Sequence, residues 1–309
     1  MRRELILLLV IVMLFSSLVS GNVAYGCIPE KLVEPIVSTN WLEANAGLKN
    51  LVILDVRSSA DYGAGHIPNS ISAPFEMPTS AWIIMKDDLL LELPDKEDIF
   101  NSLGTLGITK KSIVVIVTAV PGPSEPPYSL AGATRVADTL IYAGVKNVAI
   151  LDGGYTKWVS EGKQATTEVP VVNETVYNGK VKKNMFVPIE YVEKKMGKSI
   201  IIDTRDANVY SGEVIEPYAD KAGHIPNAKS LPTPLMWNQD GTYKSIDELQ
   251  EMAASVADKD DSIIVYCGVG GYASSWWYVL TQVLGYKNVK FYDGSAQEWV
   301  RYNDMVLGY

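Results

Sequence analysis

Short runs of apolar, mostly β-branched residues alternate along the chain with stretches whose apolar positions recur at helical spacing. The run IVVIV at 113–117 is apolar at every position, which is typical of a strand in a parallel sheet covered on both faces. Ser245 and Glu248 have the spacing of a capping box at a helix start, and Asp95 and Asp98 imitate it. The pattern predicts an α/β fold with mainly parallel sheets and helices on both faces.

The same series of motifs occurs twice in this order. Residues 51–76 and 200–232 share a buried strand, Asp-x-Arg, an aromatic residue and Gly-His-Ile-Pro-Asn, and the second copy has an inserted stretch, EVIEPYADKA. Later, SIVVIV corresponds to SIIVYC, and YAGVKNVAILDGGYTKW to VLGYKNVKFYDGSAQEW. A period of about 145 residues is that of a whole domain. We therefore predict two tandem domains, at 27–165 and 185–309, joined by a linker at 166–184 that is polar and has no helical period.

The first twenty-six residues have the pattern of an export signal. Arg2 and Arg3 precede an apolar run over 5–18, and small residues lead to Cys27. An uncleaved membrane anchor is the alternative, but the run is shorter than the roughly 20 residues that a spanning helix needs. We expect a signal peptide at 1–26 and an extracytoplasmic protein, periplasmic or secreted. If Cys27 is acylated, as in a lipoprotein, the lipid becomes the membrane contact.

Composition and charge exclude several kinds of partner. The 309 residues include 27 basic and 36 acidic side chains, a formal net charge of −9, which disfavours binding to nucleic acid. Two histidines and two cysteines, none of them clustered, predict no metal site, and we expect no cofactor.

One cysteine lies where a buried strand meets a glycine-rich loop. Cys267 ends the strand at 262–266, and Gly268, Gly270 and Gly271 follow before a helical pattern. Glycines can turn backbone amides inward, so a loop of this kind at a helix start can form an anion cradle. We expect such a cradle to lower the pKa of Cys267 and to favour attack on the outer sulfur of a sulfur donor.

At these residues the chain resembles the two-domain rhodaneses, the family of thiosulfate and 3-mercaptopyruvate sulfurtransferases. The resemblance extends from about Val52 to Trp299, on the Asp-x-Arg, Gly-His-Ile-Pro, cysteine-loop and YDGSAQEW motifs. It implies two rhodanese-like domains, of which the second is catalytic. Cys267 would carry a persulfide, Arg205 would reach the anionic end of the substrate, and the loop would bind substrate through Gly268, Val269, Gly270, Gly271 and Tyr272.

The first domain lacks the nucleophile. Val117 matches Cys267 when the two SIxVxx segments are aligned, and a longer, proline-rich loop follows it. The resemblance implies that this domain is catalytically silent and walls the cleft of the second. A minor role is assigned to His66 and to Asp203. The structural alternative is that His66 and His224 fix their turns, that Asp55 and Asp203 hold loops, and that Arg205 is structural.

The loop departs from both known donor patterns. Thiosulfate-using members have basic residues where this chain has Gly268 and Tyr272, and mercaptopyruvate-type members have a serine where it has Val269. We expect thiosulfate to be a poor donor, a mercaptopyruvate-like donor or small persulfide to be better, and Gly268→Arg to improve thiosulfate use. The acceptor would be a thiol, cyanide or a redox protein.

Two other functions compete with turnover as a sulfurtransferase. The first is a persulfide carrier or sulfur-binding protein loaded by a partner, which the missing arginines favour. The second is a cysteine phosphatase or arsenate reductase, which requires Cys-x5-Arg. Ala273 occupies the position of that arginine, so this function is rejected.

Overall fold

The computed structural model describes residues 31–308. The predicted signal peptide and Cys27 lie outside these residues. Among the helices described, none has the length and hydropathy needed to cross a membrane.

Two units of the same architecture follow each other along the chain. The first contains β1 (Ile36–Val37), α1 (Thr39–Asn45), β2 (Leu51–Asp55), α2 (Ser59–Ala64), β3 (Ser70–Ser72), β4 (Ile84–Lys86), β5 (Leu89–Glu92), α3 (Lys96–Thr105), β6 (Ile113–Val117), α4 (Tyr128–Ala143), β7 (Asn147–Leu151) and α5 (Gly154–Ser160). The second contains β8 (Phe186–Val187), α6 (Ile189–Lys195), β9 (Ile200–Asp203), α7 (Ala207–Ser211), β10 (Lys229–Ser230), α8 (Ile246–Ala254), β11 (Ile263–Tyr266), α9 (Gly271–Tyr278), β12 (Val289–Tyr292) and α10 (Ser295–Tyr302).

Each unit is built on a parallel five-stranded sheet. The strand order is β1-β7-β6-β2-β3 in the first and β8-β12-β11-β9-β10 in the second, so every strand of one five-stranded sheet has a counterpart in the other. All pairs within these two sheets are parallel, and β4 and β5 form a separate antiparallel hairpin in the first domain. The predicted α/β fold with tandem parallel sheets is confirmed.

The strand registers show which positions of the two domains are equivalent. Asp55 on β2 pairs with Val117 on β6. The equivalent aspartate on β9, Asp203, pairs with Tyr266 on β11. Val117 is therefore the counterpart of Tyr266.

The counterpart of Cys267 is consequently Thr118, and the prediction that named Val117 is wrong by one residue. The backbone of the next helix gives the same match, because Tyr155 donates its amide to the carbonyl of Thr118 and Ala296 donates to that of Cys267. The prediction aligned Ser112 with Ser262, which shifts the match between the two domains by one residue. A shift of one residue along a strand exchanges the two faces of the sheet. Thr118 carries no thiol either.

The buried core follows the same alternation. The largest buried cluster takes residues from both domains and includes much of α4 and α9. On β6 and β11 this shared cluster contains Val114, Ile116, Ile263 and Val265, and Cys267 continues the series. The intervening side chains belong to the outer clusters: Val115, Val117, Ile264 and Tyr266. Cys267 therefore faces the first domain because side chains alternate along the strand.

Helices α4 and α9 form the centre of the domain interface. Thr134 on α4 places its Oγ1 2.8 Å from the Oγ of Ser274 and 2.9 Å from the Oγ of Ser275 on α9. The β4–β5 hairpin adds a second contact, where the backbone of Leu90 and the side-chain amide of Gln297 donate to each other at 2.9 Å. The first domain therefore buttresses the helix that follows the cysteine loop.

Two local predictions had different outcomes. Ser245 and Glu248 form the predicted capping box at the start of α8. Asp95 lies at the N-cap of α3 but makes no side-chain capping hydrogen bond, so the box predicted with Asp98 is wrong. Aspartate is one methylene shorter than the glutamate that normally reaches back to the N-cap amide.

The predicted linker has no helix or strand of its own between residues 167 and 185. It is nevertheless hydrogen-bonded to the first domain. The Tyr177 hydroxyl donates to the carbonyl of Ala143 at 3.0 Å, and the amide of Thr175 donates to the carbonyl of Gly104 at 2.9 Å.

Candidate active site

Cys267 lies at the carboxyl end of the central strand β11, at the entrance to the glycine loop. The amide of Gly270 donates to its Sγ at 3.0 Å, and the Cys267 amide donates to the Oγ of Ser295 at 3.2 Å. Gly270 has φ +89°, in the left-handed region that glycine adopts without a Cβ penalty. The loop therefore aims backbone amides at the sulfur, as the sequence predicted.

The expected effect on the pKa of Cys267 is wrong in direction. Burial raises the pKa of the thiol and the Glu216 carboxylate raises it further, whereas amide hydrogen bonds from Ala273, Val269 and Gly270 lower it, with a net upward shift. Because the sulfur is buried, desolvation outweighs the amide donors. The pKa of Cys267 therefore lies above that of a free thiol, and the cradle serves mainly to hold negative charge once it forms.

A cavity of about 310 Å³ lies over Cys267 between the two domains. Its walls are mostly apolar and aromatic. The first domain contributes Phe75, Met77, Leu91, Tyr128, Ala131 and Gly132, and the second contributes Arg205, Asp206, Val209, Val214, Ile215, Glu216, Pro217, Tyr218, Cys267, Gly268, Val269, Gly271 and Tyr272. The first domain thus forms one wall of the cavity. Of the predicted loop residues, Gly270 does not line the cavity, and its amide donates to the sulfur of Cys267 instead.

Arg205 lines the cavity but is already paired. Its Nη2 lies 2.6 Å from Asp203 and donates to the carbonyl of Gly223, and its Nη1 lies 2.8 Å from Glu216. The side chain is only 3% exposed. The prediction that Arg205 reaches the anionic end of a substrate is not supported by this geometry, because two carboxylates already neutralise the guanidinium.

Glu216 is a site residue that the sequence argument missed. It belongs to the stretch inserted in the second repeat, and one carboxylate oxygen, Oε1, accepts from Arg205. The other oxygen, Oε2, lies against Gly268, closer than a β-carbon there would tolerate. The insertion itself was the available signal, because a stretch present in only the copy that carries the cysteine is a candidate part of the site.

Tyr272 closes the inner end of the loop. Its ring lies 5.6 Å, between centroids, from that of Tyr128 on the first domain, and its carbonyl accepts from Thr233. The position at which the resemblance led us to expect a basic residue for thiosulfate use therefore contributes an aromatic wall.

The two residues given a minor role lie away from the cavity. His66 is fully buried, and its ring nitrogens face the carbonyls of Tyr62 and Glu168 at 2.9 and 3.0 Å. Asp203 lies beneath Arg205 and also accepts from the hydroxyl of Tyr266 at 2.6 Å. Neither residue lines the cavity, and these contacts fit the alternative that they fix their loops.

A second residue missed from sequence is Arg135, on α4 of the first domain. The side chain is fully buried and its Nη1 lies 2.6 Å from Asp293, while Nη2 donates to the carbonyl of Leu91 at 2.6 Å. Nη1 and the Asp293 carboxylate both lie within 4 Å of the place where a β-carbon of Gly270 would be. A cation of the first domain therefore packs behind the Cys267 loop. Within residues 31–308, no cluster of His, Cys, Asp or Glu is suited to hold a metal ion.

Comparison with known proteins identifies the family to which both domains belong. A family model described as "Rhodanese-like domain" matches residues 38–161 and 189–302. The chain is 32% identical over 85% of its length to a Haloferax volcanii protein named "Putative thiosulfate sulfurtransferase", covering 92% of that protein. It is 31% identical over 86% of its length to "Sulfur carrier protein TtuD" of Thermus thermophilus, covering 93%.

A solved structure supports the fold. It is the anaerobic ergothioneine biosynthesis enzyme of Chlorobium limicola, in complex with its natural substrate trimethyl histidine. The TM-score is 0.74 at 22% identity, over 89% of this chain and 70% of that one.

Proposed function

This chain belongs to the rhodanese family of sulfurtransferases, and on that premise we propose that it moves a sulfane sulfur through a persulfide on Cys267. The Cys267 thiolate attacks the transferable sulfur of a donor, and a new sulfur–sulfur bond forms. From a small persulfide the old sulfur–sulfur bond breaks and a thiolate leaves with its electron pair. From 3-mercaptopyruvate the carbon–sulfur bond breaks, and the electron pair leaves on pyruvate enolate, which then takes up a proton. A nucleophilic acceptor, a thiol or cyanide, then attacks the outer sulfur and releases the Cys267 thiolate.

The observation that carries this proposal is the position of the Cys267 sulfur. It lies at the base of a cavity of about 310 Å³ and accepts the amide of Gly270 at 3.0 Å. Preorganised amides stabilise negative charge on Sγ both before it attacks the donor and after the outer sulfur has passed to the acceptor. Within residues 31–308 it is the one free cysteine, so no other thiol of these residues can accept the sulfur, and we propose transfer to an external acceptor.

The donor is inferred from the charges around the cavity. Arg205 is the single cation among its lining residues and is paired with two carboxylates. A dianion such as thiosulfate gains no charge-assisted contact there, and each such contact is worth about 1.5–3 kcal/mol. We therefore propose a donor with one negative charge or none at the reacting end, such as 3-mercaptopyruvate or a small persulfide.

A carrier loaded by a partner is the second candidate function. The name of the Thermus relative favours it, and so does the raised pKa of Cys267, which slows attack on free donors. Steady-state turnover with cyanide separates the two functions. A sulfurtransferase forms many thiocyanates per protein from 3-mercaptopyruvate or a small persulfide, and fewer from thiosulfate. Turnover that stops at one sulfur per protein with every small donor would favour the carrier.

The location of the protein is proposed from its sequence. We propose cleavage near Cys27 and an extracytoplasmic mature protein, with a lipid on Cys27 as the alternative form. N-terminal sequencing of the native protein tests this proposal, and recovery of Met1 from the cytoplasm would overturn it.

A further inference from the structure

The cavity above Cys267 has an excess of negative charge. Its charged lining residues are Arg205, Asp206 and Glu216. Arg205 is already engaged by Glu216 and, below the cavity, by Asp203. The positive charge of the guanidinium is therefore already neutralised by these carboxylates. A persulfide on Cys267 would add another negative charge to the cavity.

Glu216 has one carboxylate oxygen available to a ligand. Oε1 accepts from Arg205 at 2.8 Å, whereas Oε2 accepts no hydrogen bond from the described residues and lies against Gly268, next to the nucleophile. The side chain is 16% exposed, so it is largely withdrawn from bulk water but still reaches the cavity. A positive group placed there would meet a carboxylate that is weakly screened.

The mouth of the cavity is aromatic and apolar. Tyr128 from the first domain is 65% exposed and Tyr218 from the second is 46% exposed, and both line the cavity beside Ile215. Asp206, Glu216 and Cys267 line the same cavity as the two tyrosines. Aromatic faces beside carboxylates favour organic cations, because the ring quadrupole attracts positive charge.

We propose that the sulfur acceptor of this site is a thiol that carries a cationic group on a short apolar frame. This inference rests on the proposed transfer through Cys267. The cation pairs with Oε2 of Glu216 and packs against Tyr128 or Tyr218, which directs the thiol toward the loop. The acceptor thiolate attacks the outer sulfur of the Cys267 persulfide and leaves as a persulfide. The electron pair of the broken bond returns to Sγ, so no oxidant or reductant is required.

The test uses protein loaded with one sulfur and three small thiols that differ in charge. These are cysteamine, which is cationic, 2-mercaptoethanol, which is neutral, and 3-mercaptopropionate, which is anionic. Single-turnover transfer is measured for the native protein, for Glu216→Gln and for Glu213→Gln, an exposed glutamate of the same inserted stretch that does not line the cavity. Comparing ratios between proteins cancels the intrinsic reactivities of the thiols.

The native protein is expected to prefer cysteamine to 3-mercaptopropionate. Glu216→Gln should reduce that ratio about tenfold, as loss of one charge-assisted contact implies, and Glu213→Gln should leave it unchanged. An equal ratio in the native protein and Glu216→Gln overturns the inference while leaving the proposed function intact. Failure of Cys267 to accept any sulfur overturns the proposed function itself.

A binding measurement on the native protein gives an independent check. Butylammonium and butyrate have the same apolar chain and opposite charge, and neither reacts with the persulfide. Butylammonium should inhibit transfer to 2-mercaptoethanol at a lower concentration than butyrate. Equal inhibition, or stronger inhibition by butyrate, contradicts a cation-binding cavity.

Discussion

The carboxylate of Glu216 lies directly against the α-carbon of Gly268, on the side where any other residue would carry its β-carbon. The contact explains why glycine follows Cys267 in this chain. It also links the inserted stretch of the second domain to the cysteine loop. Glu216 is held in place by its ion pair with Arg205, so the contact is not relieved by simple rotation of a free side chain.

This contact changes the expected result of placing a cation beside Cys267. Gly268→Arg alone should lower sulfur loading, because the new β-carbon displaces Glu216 and disturbs the loop. Combined with Glu216→Ala, the same substitution should improve the catalytic efficiency with thiosulfate about tenfold over Glu216→Ala alone. Steady-state assays of the three variants test this, and improvement by Gly268→Arg alone would show that the contact is not restrictive.

The pH dependence of the thiol should respond to Glu216. Burial raises the pKa of Cys267 and the Glu216 carboxylate raises it further, so Glu216→Gln removes one upward contribution and lowers the pKa. The rate of alkylation by iodoacetamide, followed against pH, should therefore rise at lower pH in Glu216→Gln than in the native protein. Glu213→Gln is the matched control and should reproduce the native profile. A midpoint unchanged by Glu216→Gln contradicts the electrostatic coupling.

Arg135 should position the loop from the first domain. Arg135→Met leaves Asp293 buried without its cation, which typically costs about 3–5 kcal/mol of stability. We expect a lower melting temperature and slower single-turnover loading, with kcat reduced more than KM is raised. Arg301→Met, which removes exposed hydrogen bonds to Asp87 and Asp88 across the same interface, should have a small effect on both. Equal effects of the two variants on kcat would argue against positioning by Arg135.

Glu92 should make stability depend on pH. Burial, followed by the carboxylate of Asp293, raises the pKa of Glu92 from 4.5 to about 8. The folded state therefore retains a proton that the unfolded chain has lost. The resulting stabilisation is fully present below pH 4.5 and is lost as pH rises through about 8.

Glu92→Gln should accordingly match the native melting temperature near pH 4.5 and exceed it above about pH 8. The neighbouring charges of Arg135, Glu298 and Lys86 are present in both proteins. Glu97→Gln, an exposed glutamate of α3, provides the control and should follow the native curve. A constant difference between Glu92→Gln and the native protein at all pH values contradicts the assignment.

The parts of the fold that depend on local pattern were predictable from sequence. Continuous apolar strands such as IVVIV predicted parallel sheets, and the repeated motifs predicted two equivalent domains. The residue-by-residue equivalence of β6 and β11 was not predictable. Aligning Ser112 with Ser262 matches residue types but not the face of the sheet on which each side chain lies. The registers of Asp55 and Asp203 identify Thr118 as the counterpart of Cys267.

The part of the site that one short segment forms was predictable from sequence. The part that segments distant in sequence bring together was not. The Cys267 loop and its inward amides follow from glycines adjacent in sequence. Glu216 and Arg135 reach the site from an insertion and from the other domain, so no local spacing reveals them. The pKa of Cys267 was predicted in the wrong direction for the same reason, because burial is a property of the assembled domains.

The central claim is that Cys267 alone carries the transferred sulfur. The most direct measurement is the mass of the intact protein after incubation with a small persulfide or 3-mercaptopyruvate, followed by peptide mapping. The native protein should gain one sulfur on Cys267. Cys267→Ser should gain none, and Cys267→Ser combined with Thr118→Cys should not regain transfer, because the loop at 118–127 lacks the glycine cradle. A gain of one sulfur by folded Cys267→Ser, to the extent seen in the native protein, would contradict this claim.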